Sequence, residues 1–550
     1  MPETDSSKAE ALSEHSKSVA RGSFWSLFGN VAFKLVSFAY VVIVARLAAQ
    51  DDVGIFYLAL SIASIASFLS EFGILGSLTR YVPYFEGKSE YRKIRDLLNF
   101  SYLSVVPAFI MALLLFLGAN MIADFYHNPK LGTAMDVFAV FVALSGIFKV
   151  VSAFLNGRAD MKSAQLLSNA ENLSKLIFTV ILFYAYGPSL FMLCAAFVLS
   201  YIPPLIMSYW MMKHHLSKIP TTGDPLPTSQ LIHEIIPFGF MLSLLGSFAV
   251  LLTSADRLFL GFLIPVADSA RLLALYSMAA NLAVVITIFP ASVGSIFLPV
   301  ISRLFGKDDK EGIRSLMETS QRWMLFITLP IGLIMILFPS ELLSLIYGSD
   351  YAAGGLVLAL LTLAMLVQSY STIVSLVIAG ARRVDIELKC MGISGVSNLI
   401  LTPIMIYLFG FTGAAAALAI SLLILTLLFL RYGKKLFGFS IPSESYKLAF
   451  AILLSAVIVF LIKPAAMSIV PLLPKIGTGE LAAYSGKIIS LIFIALLTAL
   501  AFCIFIPASL ILKCIKKEDI ILMRSVLHKA FVPERAIAFL ERIAKYGVAG

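Results

Sequence analysis

Seven charged residues stand inside long apolar runs of the sequence: the cations Lys34, Lys149, Lys175 and Arg257, and the acids Glu71, Glu171 and Asp256. In VAFKLVSFAYVVIVARL, residues 31–47, Lys34 lies roughly 20 Å along a helix from Arg21 and roughly 18 Å from Arg46, too deep in a bilayer to snorkel easily. A cation at that depth costs about 2.5–3.5 kcal/mol on insertion scales, so it faces a bundle interior or a watery cavity. Ser26, Asn30, Lys34 and Ser37 recur at helical spacing and form one polar stripe, the expected wall of such a cavity. Ser243, Ser247, Ser254 and Arg257 form a comparable stripe further on, with Asp256 beside the arginine.

The chemistry open to this set is electrostatic: fixed cations can hold an anion through charge-assisted hydrogen bonds. Lys34 and Arg257 either meet an anionic ligand in a cavity or pair with Glu71 and Asp256 to lock helices together. Glu171 and Lys175, one turn apart, read as an ion pair within a helix rather than a substrate contact. Lys149 stands isolated and fits either role. The candidate binding set is therefore Lys34, Asn30, Ser37, Arg46, Lys149 and Arg257, with Glu71 and Asp256 as coupling or structural acids.

Covalent chemistry has no comparable constellation. The six histidines fall in termini, links or the edge of one apolar run, and neither an HExxH nor a GxxxxGK[ST] pattern occurs. Cys194, Cys390, Cys503 and Cys514 are scattered without paired spacing, so no disulfide framework or metal site is expected. The sequence implies no cofactor and no catalytic residue.

The elements that position these charges are membrane spans. The chain has 550 residues, 59% hydrophobic and 13% charged, which excludes an ordinary soluble domain. Fourteen apolar runs of spanning length are expected between Phe24 and the 510s. A cleaved leader is not expected, because the N-terminal segment is polar and Lys34 interrupts the first apolar run. Links after even-numbered runs carry twenty-one Lys and Arg, against six after odd-numbered runs. The positive-inside rule then places the even links and both termini in the cytoplasm. Topology thus accounts for the net charge of +10, and nucleic acid is not expected as a partner. In the basic tail, 513–550, the stretch DIILMRSVLHKAF reads either as a helix on the inner membrane surface or as a solvated helix.

An internal repeat organises the spans. GKSEYRKIRDLL (87–98) and GKDDKEGIRSLM (306–317) share five of twelve positions at an offset of 219. FLNGRAD (154–160) and VIAGARR (377–383) align Gly157 with Gly380 at an offset of 223. One six-span unit therefore occurs twice, and an even number of spans keeps both copies in the same orientation around a central cavity. The expected organisation is a cytoplasmic segment (1–22), a first six-helix bundle (23–215), a linker (216–232), a second bundle (233–435), spans 13 and 14 (436–512) and the tail (513–550): an all-α integral membrane protein.

ARLAAQDDVGIFYLALSIASIASFLSEFGILGSLTRYVP (45–83) resembles the opening of polysaccharide and oligosaccharide flippases in the multidrug/oligosaccharidyl-lipid/polysaccharide exporter superfamily. There a helix ends in Ala-Arg-x-Leu-like residues, a Gly-x-aromatic pair (Gly54, Phe56) starts the second span, and an acidic-Phe-Gly element (Glu71, Phe72, Gly73) ends it. SADRLFLGFL (254–263) and LALYSMAANLA (273–283) resemble the family's seventh and eighth spans. The resemblance covers roughly 22–435 and implies two bundles around a cationic cavity that moves a polyprenyl-pyrophosphate-linked sugar across the membrane by alternating access. Two spans beyond the usual twelve are similar to the arrangement in lipid II flippases of the same superfamily, and Ala274 stands where a glycine is common. The expected partners are a lipid-linked oligosaccharide, membrane lipids and other polysaccharide-assembly membrane proteins, in the cytoplasmic membrane. The rival readings are a cation-coupled multidrug exporter of the same fold, which would carry a more acidic cavity, and a membrane-embedded polysaccharide polymerase or ligase, which would need a sizeable outer loop.

Overall fold

A computed structural model of the chain describes residue 29 and residues 32–71, 73–220, 223–469 and 480–514. The N-terminal segment, Asn30, Phe72 and the tail from 515, including its expected surface helix, lie outside the described residues. Every element described is helical. Among the described residues thirteen helical stretches are long and apolar enough to cross a membrane; the helix over 32–47, where the first of the fourteen expected runs lies, is described over too short a stretch to be counted with them.

In chain order, the first bundle contains α1 (32–47), α2 (Gln50–Leu69), α3 (Ile74–Gly87), α4 (Tyr91–Tyr102), α5 (Val105–Leu117), α6 (Ala119–Phe125), α7 (Pro129–Gly157), α8 (Met161–Tyr186), α9 (Leu190–Leu199) and α10 (Ile202–Ser217). After the short α11 (Thr228–Gln230) come α12 (Ile236–Leu263), α13 (Val266–Ala283), α14 (Ile288–Gly306), α15 (Lys310–Leu337), α16 (Pro339–Tyr347), α17 (Gly355–Gly380), α18 (Val384–Phe409) and α19 (Phe411–Phe437) in the second bundle. The two additional spans, α20 (Ser443–Ile469) and α21 (Glu480–Ile511), pair with each other, and α20 packs on α15. The face carrying the basic links is termed the inner face, and its opposite the outer face.

The backbone reproduces the repeat read from sequence. Helices α8 and α18 are both 26 residues long and begin and end at an offset of 223. The corners that precede α4 and α15 place Ser89 and Asp308 in the left-handed region, at φ 59° and 50°, an offset of 219. The corners before α8 and α18 do the same with Ala159 (φ 54°) and Arg382 (φ 59°), at 223. Side chains differ at each pair while the conformation is kept, although non-glycine residues seldom adopt it. Caps follow the same logic: Asp160 accepts from the Ser163 amide at 3.1 Å, and Asp309 accepts from the Gly312 amide at 2.8 Å. Tyr184 and Tyr407, also 223 apart, are 94% and 90% exposed at the outer ends of α8 and α18, where aromatic side chains mark a membrane interface.

Spans 2 and 8 are both interrupted. Between α2 and α3 the chain turns at Gly73, whose φ of 80° suits a residue without a Cβ. Between α13 and α14, Val284–Thr287 tightens to a 3₁₀ turn. The bundles meet along these spans. A Cβ on Gly54 of α2 would overlap the Ala270 carbonyl of α13, and Cβ atoms on Gly73 and Gly239 would overlap each other's backbone. A large apolar core runs through both bundles, and a second, under the inner half of the first bundle, joins α3, α4 and α7 to Ile235 at the start of span 7.

Candidate functional site

The first bundle neutralises most of its buried charge internally. Glu71, at the turn between α2 and α3, faces α7, and Lys149 donates to its Oε1 at 2.5 Å. The same ammonium lies 2.9 Å from Ser67 Oγ, which in turn is 2.6 Å from Ser145 Oγ. Lys149 is therefore not isolated: the turn at Gly73 swings Glu71 towards α7, and the acid's partner is Lys149 rather than Lys34. One turn apart on α8, Lys175 and Glu171 pair at 2.8 Å, as their spacing predicts, and the Lys175 ammonium lies 4.7 Å from the Phe197 ring centre.

Lys34 has no carboxylate partner among the described residues. It is half-buried on α1 and, with Ser37, lines a cavity of about 350 Å³ between the bundles; the opposite wall is Asn281, Val284, Val285 and Ile288 of span 8, with Tyr347 at one end. Of the polar stripe, Lys34 and Ser37 line it, span 8 supplies its other side, and Ser26 lies outside the described residues. Asn30 falls outside the described residues.

Arg257 and Asp256 diverge although they are adjacent. The Arg257 guanidinium donates from Nε to Ser277 Oγ at 3.1 Å and from Nη1 to the Thr253 carbonyl at 2.9 Å, and it lies 5.6 Å from the centre of the Tyr57 ring in the other bundle. Ser277 is one turn from Asn281, whose amide donates to the Ser277 carbonyl at 2.8 Å, so Arg257 stands one helical turn behind the wall of the Lys34 cavity. Asp256 points into its own bundle instead. It is 1% exposed, accepts from the Tyr276 hydroxyl at 2.5 Å and from Thr402 at 3.3 Å, and makes no ion pair with Arg257.

The repeat shows what is distinctive about Asp256. Tyr57 and Tyr276 are 219 apart, and Thr179 and Thr402 are 223 apart. At the second offset, Lys175 in the first bundle corresponds to Asn398 in the second. One bundle thus carries a built-in ammonium with its own acid, whereas the other carries a buried acid with no ion-pair partner among the described residues.

Arg46 is exposed at the outer end of α1 and does not reach the central cavity. Its Nε donates to the Ile346 carbonyl at 2.8 Å and its Nη2 to the Leu345 carbonyl, so it caps the C-terminus of α16 in the opposite bundle. Gln50 adds a bond to the Asp350 carbonyl at 3.2 Å. Tyr347 lines both the Lys34 cavity and a cavity of about 220 Å³ outside it, and so separates the two. On the inner side a cavity of about 830 Å³ lies between Arg80 and Tyr84 of α3 and Glu234, Arg382 and Asp385 of the second bundle. No group of His, Cys, Asp and Glu suited to a metal occurs among the described residues.

Sequence reasoning missed Tyr57, Asn281, Tyr347 and Thr402. The 219 and 223 offsets offered a signal for the tyrosine and threonine pairs. Tyr347 carried none, because it follows the ninth span in a link. Arg322, which charge counting places in an inner link, is buried in α15 and donates to Thr319 Oγ1 at 3.3 Å.

The fold and this site define a multi-pass membrane protein of two repeated six-helix bundles with a cavity between them. Residues 19–305 match the family described as polysaccharide biosynthesis protein, and residues 232–404 match the MatE family. The chain belongs to the polysaccharide biosynthesis protein family, within the exporter superfamily that the sequence resembles. Among curated relatives, an uncharacterized membrane protein of Methanocaldococcus jannaschii is 24% identical over 73% of this chain and 81% of its own length. The capsular polysaccharide biosynthesis protein CapF of Staphylococcus aureus is 25% identical over 74% and 97%, and the probable low-salt glycan biosynthesis flippase Agl15 of Haloferax volcanii is 27% identical over 28% and 33%. Among solved structures, the lipid II flippase MurJ in an inward closed conformation superposes with a TM-score of 0.62 at 15% identity, covering 87% of this chain and 98% of that one.

Proposed function

We propose that the chain is a flippase that carries a polyprenyl-(pyro)phosphate-linked oligosaccharide across the cytoplasmic membrane by alternating access, in the synthesis of a cell-surface polysaccharide or glycan. The observation that carries this reading is Lys34: an ammonium without a carboxylate partner among the described residues, in the wall of a cavity between the bundles, on a span where the sequence puts it deep in the bilayer. An anionic diphosphate offsets the cost of keeping that charge away from water, and Arg257, one turn behind the opposite wall, adds a second cation from the other repeat. The names of Agl15 and CapF accord with a glycan substrate. The excess of Lys and Arg in the links of one face supports an orientation with both termini in the cytoplasm. Arg46 and Gln50 join the outer ends of the bundles, which supports a conformation with its outer side held together.

The test is mass spectrometry of lipids that co-purify with the protein in mild detergent, followed by a flipping assay in proteoliposomes. A polyprenyl-linked saccharide bound by the wild type and lost in Lys34→Gln is the expected result. Retention of that lipid at wild-type level by Lys34→Gln would remove Lys34 from the site. A second reading, a cation-coupled multidrug exporter of the same fold, is favoured by Asp256, a buried acid with no ion-pair partner among the described residues. In the flippase reading Asp256 is the coupling acid, so Asp256→Asn should keep substrate binding and lose turnover. Efflux of cationic drugs by cells expressing the chain, without glycan flipping, would decide for the exporter.

A further inference from the structure

A second cationic cavity lies outside the transport path. It has a volume of about 730 Å³, and the residues that line it come only from the first bundle and the beginning of the linker. Arg95 of α4 and Lys213 of α10 supply two positive charges to it, and no acid lines it. The neighbouring carboxylate, Asp96, is occupied by Arg92 at 3.2 Å and by the Leu226 amide at 3.0 Å. Neither Arg95 nor Lys213 has a carboxylate partner among the described residues. Two cations that line one cavity repel each other, and an anion bound between them offsets that cost.

The walls of the cavity suit an amphiphile. Tyr102 and Tyr209 bring aromatic rings with hydroxyls, and Met212 and Leu216 bring apolar surface. Tyr209 and its neighbour Trp210 are 64% and 63% exposed, on a side of the bundle where Leu103 and Ile206 are also exposed, so this surface faces lipid. Tyrosine and tryptophan at such a position mark the level of the headgroups. The cavity lies at the inner ends of spans 3 and 6, beside two of the basic links. A basic pocket between spans at that level is a physical niche for an anionic headgroup.

We infer that this cavity binds an anionic phospholipid of the inner leaflet, with its phosphate held between Arg95 and Lys213. Its assignment to that leaflet rests on the orientation proposed above; its phosphate chemistry does not. Because Ile219 and Pro220 of the linker form part of the wall, the bound lipid also braces the point where the chain leaves the first bundle.

The experiment is native mass spectrometry of the full chain, released from micelles containing equal phosphatidylglycerol and phosphatidylcholine. The wild type should retain phosphatidylglycerol in preference. Each basic residue near an anionic headgroup is worth roughly fivefold, so Arg95→Gln with Lys213→Gln should lower the retention ratio by roughly 25- to 30-fold. The charge-keeping pair Arg95→Lys with Lys213→Arg, at an unchanged thermal unfolding midpoint, should keep most of it. An unchanged ratio in the Gln pair, or equal retention of both lipids by the wild type, overturns the inference. Displacement of phosphatidylglycerol by millimolar inorganic phosphate shows free phosphate to be the ligand and also overturns it. Displacement by a polyprenyl diphosphate would assign the cavity to the transport path instead. Loss of phosphatidylglycerol preference without loss of flipping leaves the proposed function intact, and the converse result leaves the lipid site intact.

Discussion

Lys34 and Lys149 are both half-buried lysines on membrane spans, and the structure predicts opposite consequences for losing them. Lys149→Gln leaves Glu71, whose side chain is only 13% exposed, without its cation. Breaking a buried pair in this way costs about 3–5 kcal/mol; with the Lys149 side chain 30% exposed, the lower figure of about 3 kcal/mol applies. Adding Glu71→Gln removes the orphaned charge and should bring stability back to within about 1 kcal/mol of the wild type, a recovery of roughly 2 kcal/mol over Lys149→Gln alone. Lys34→Gln leaves no acid unpaired and should change stability by less than about 1 kcal/mol. It should instead weaken binding of a polyprenyl diphosphate roughly 10- to 150-fold, the worth of one hydrogen bond to a charged group. Equilibrium unfolding in mixed micelles, followed by circular dichroism, gives the stabilities, and titration with the diphosphate lipid gives the affinities. A loss of stability in Lys34→Gln equal to that in Lys149→Gln would mean that Lys34 has an acid partner, and the binding role would be refuted. A neutral Lys149→Gln would refute the Glu71 pairing.

Other contacts give further expected outcomes. Arg46→Ala removes two bonds between the bundles, worth about 1–3 kcal/mol together, so the outward-open fraction should rise roughly 5- to 150-fold. A cysteine at Ser37, in a background lacking the exposed Cys503, should then react faster with an impermeant thiol reagent added outside; an unchanged rate would rule out Arg46 as a seal. Gly54→Ala forces a methyl into the Ala270 carbonyl and should abolish stable folding or cost more than about 3 kcal/mol, measured as loss of monodisperse protein; a wild-type yield would contradict the backbone contact. Burial raises the Asp160 carboxyl, but the hydrogen bonds from Ser163 outweigh it and His215 adds to them, so it titrates below the usual carboxylate range. The stabilisation this gives is present above the unfolded value of about 3.9 and is lost as pH falls through the lower folded value. Asp160→Ala should cost about 1 kcal/mol at neutral pH and flatten the stability profile below about pH 4.

The spans and the repeat were legible because each rests on spacing along one helix or on residues that recur. The Glu171–Lys175 pair was legible for the same reason. The partner of Glu71 was not, since Lys149 lies 78 residues away and the pairing depends on the turn at Gly73, whose direction no periodicity encodes. Arg46 was read as a cavity cation because its charge is visible in sequence, whereas the acceptors that hold it are backbone carbonyls of α16, which any sequence would offer. Asn281 and Tyr347 were invisible until the chain brought span 8 and the link after span 9 against span 1.

The glycine contacts between the bundles also set a mechanical scale. At Gly73 and Gly239, as at Gly54 and Ala270, backbone meets backbone, so no side chain can change rotamer there to absorb a displacement; if relative motion turns about the Gly73 contact, the outer contacts are the ones that open. Gly54 lies 19 residues away towards the outer end, roughly 28 Å at 1.5 Å per residue, so each degree of rotation moves the outer end by roughly 0.5 Å. A hydrogen bond fails when stretched by about 1 Å, which the Arg46 contacts would reach after roughly two degrees. The outer seal is thus a short-stroke latch on a long lever: it lets go near the start of the swing, and the rest of the rotation proceeds without it.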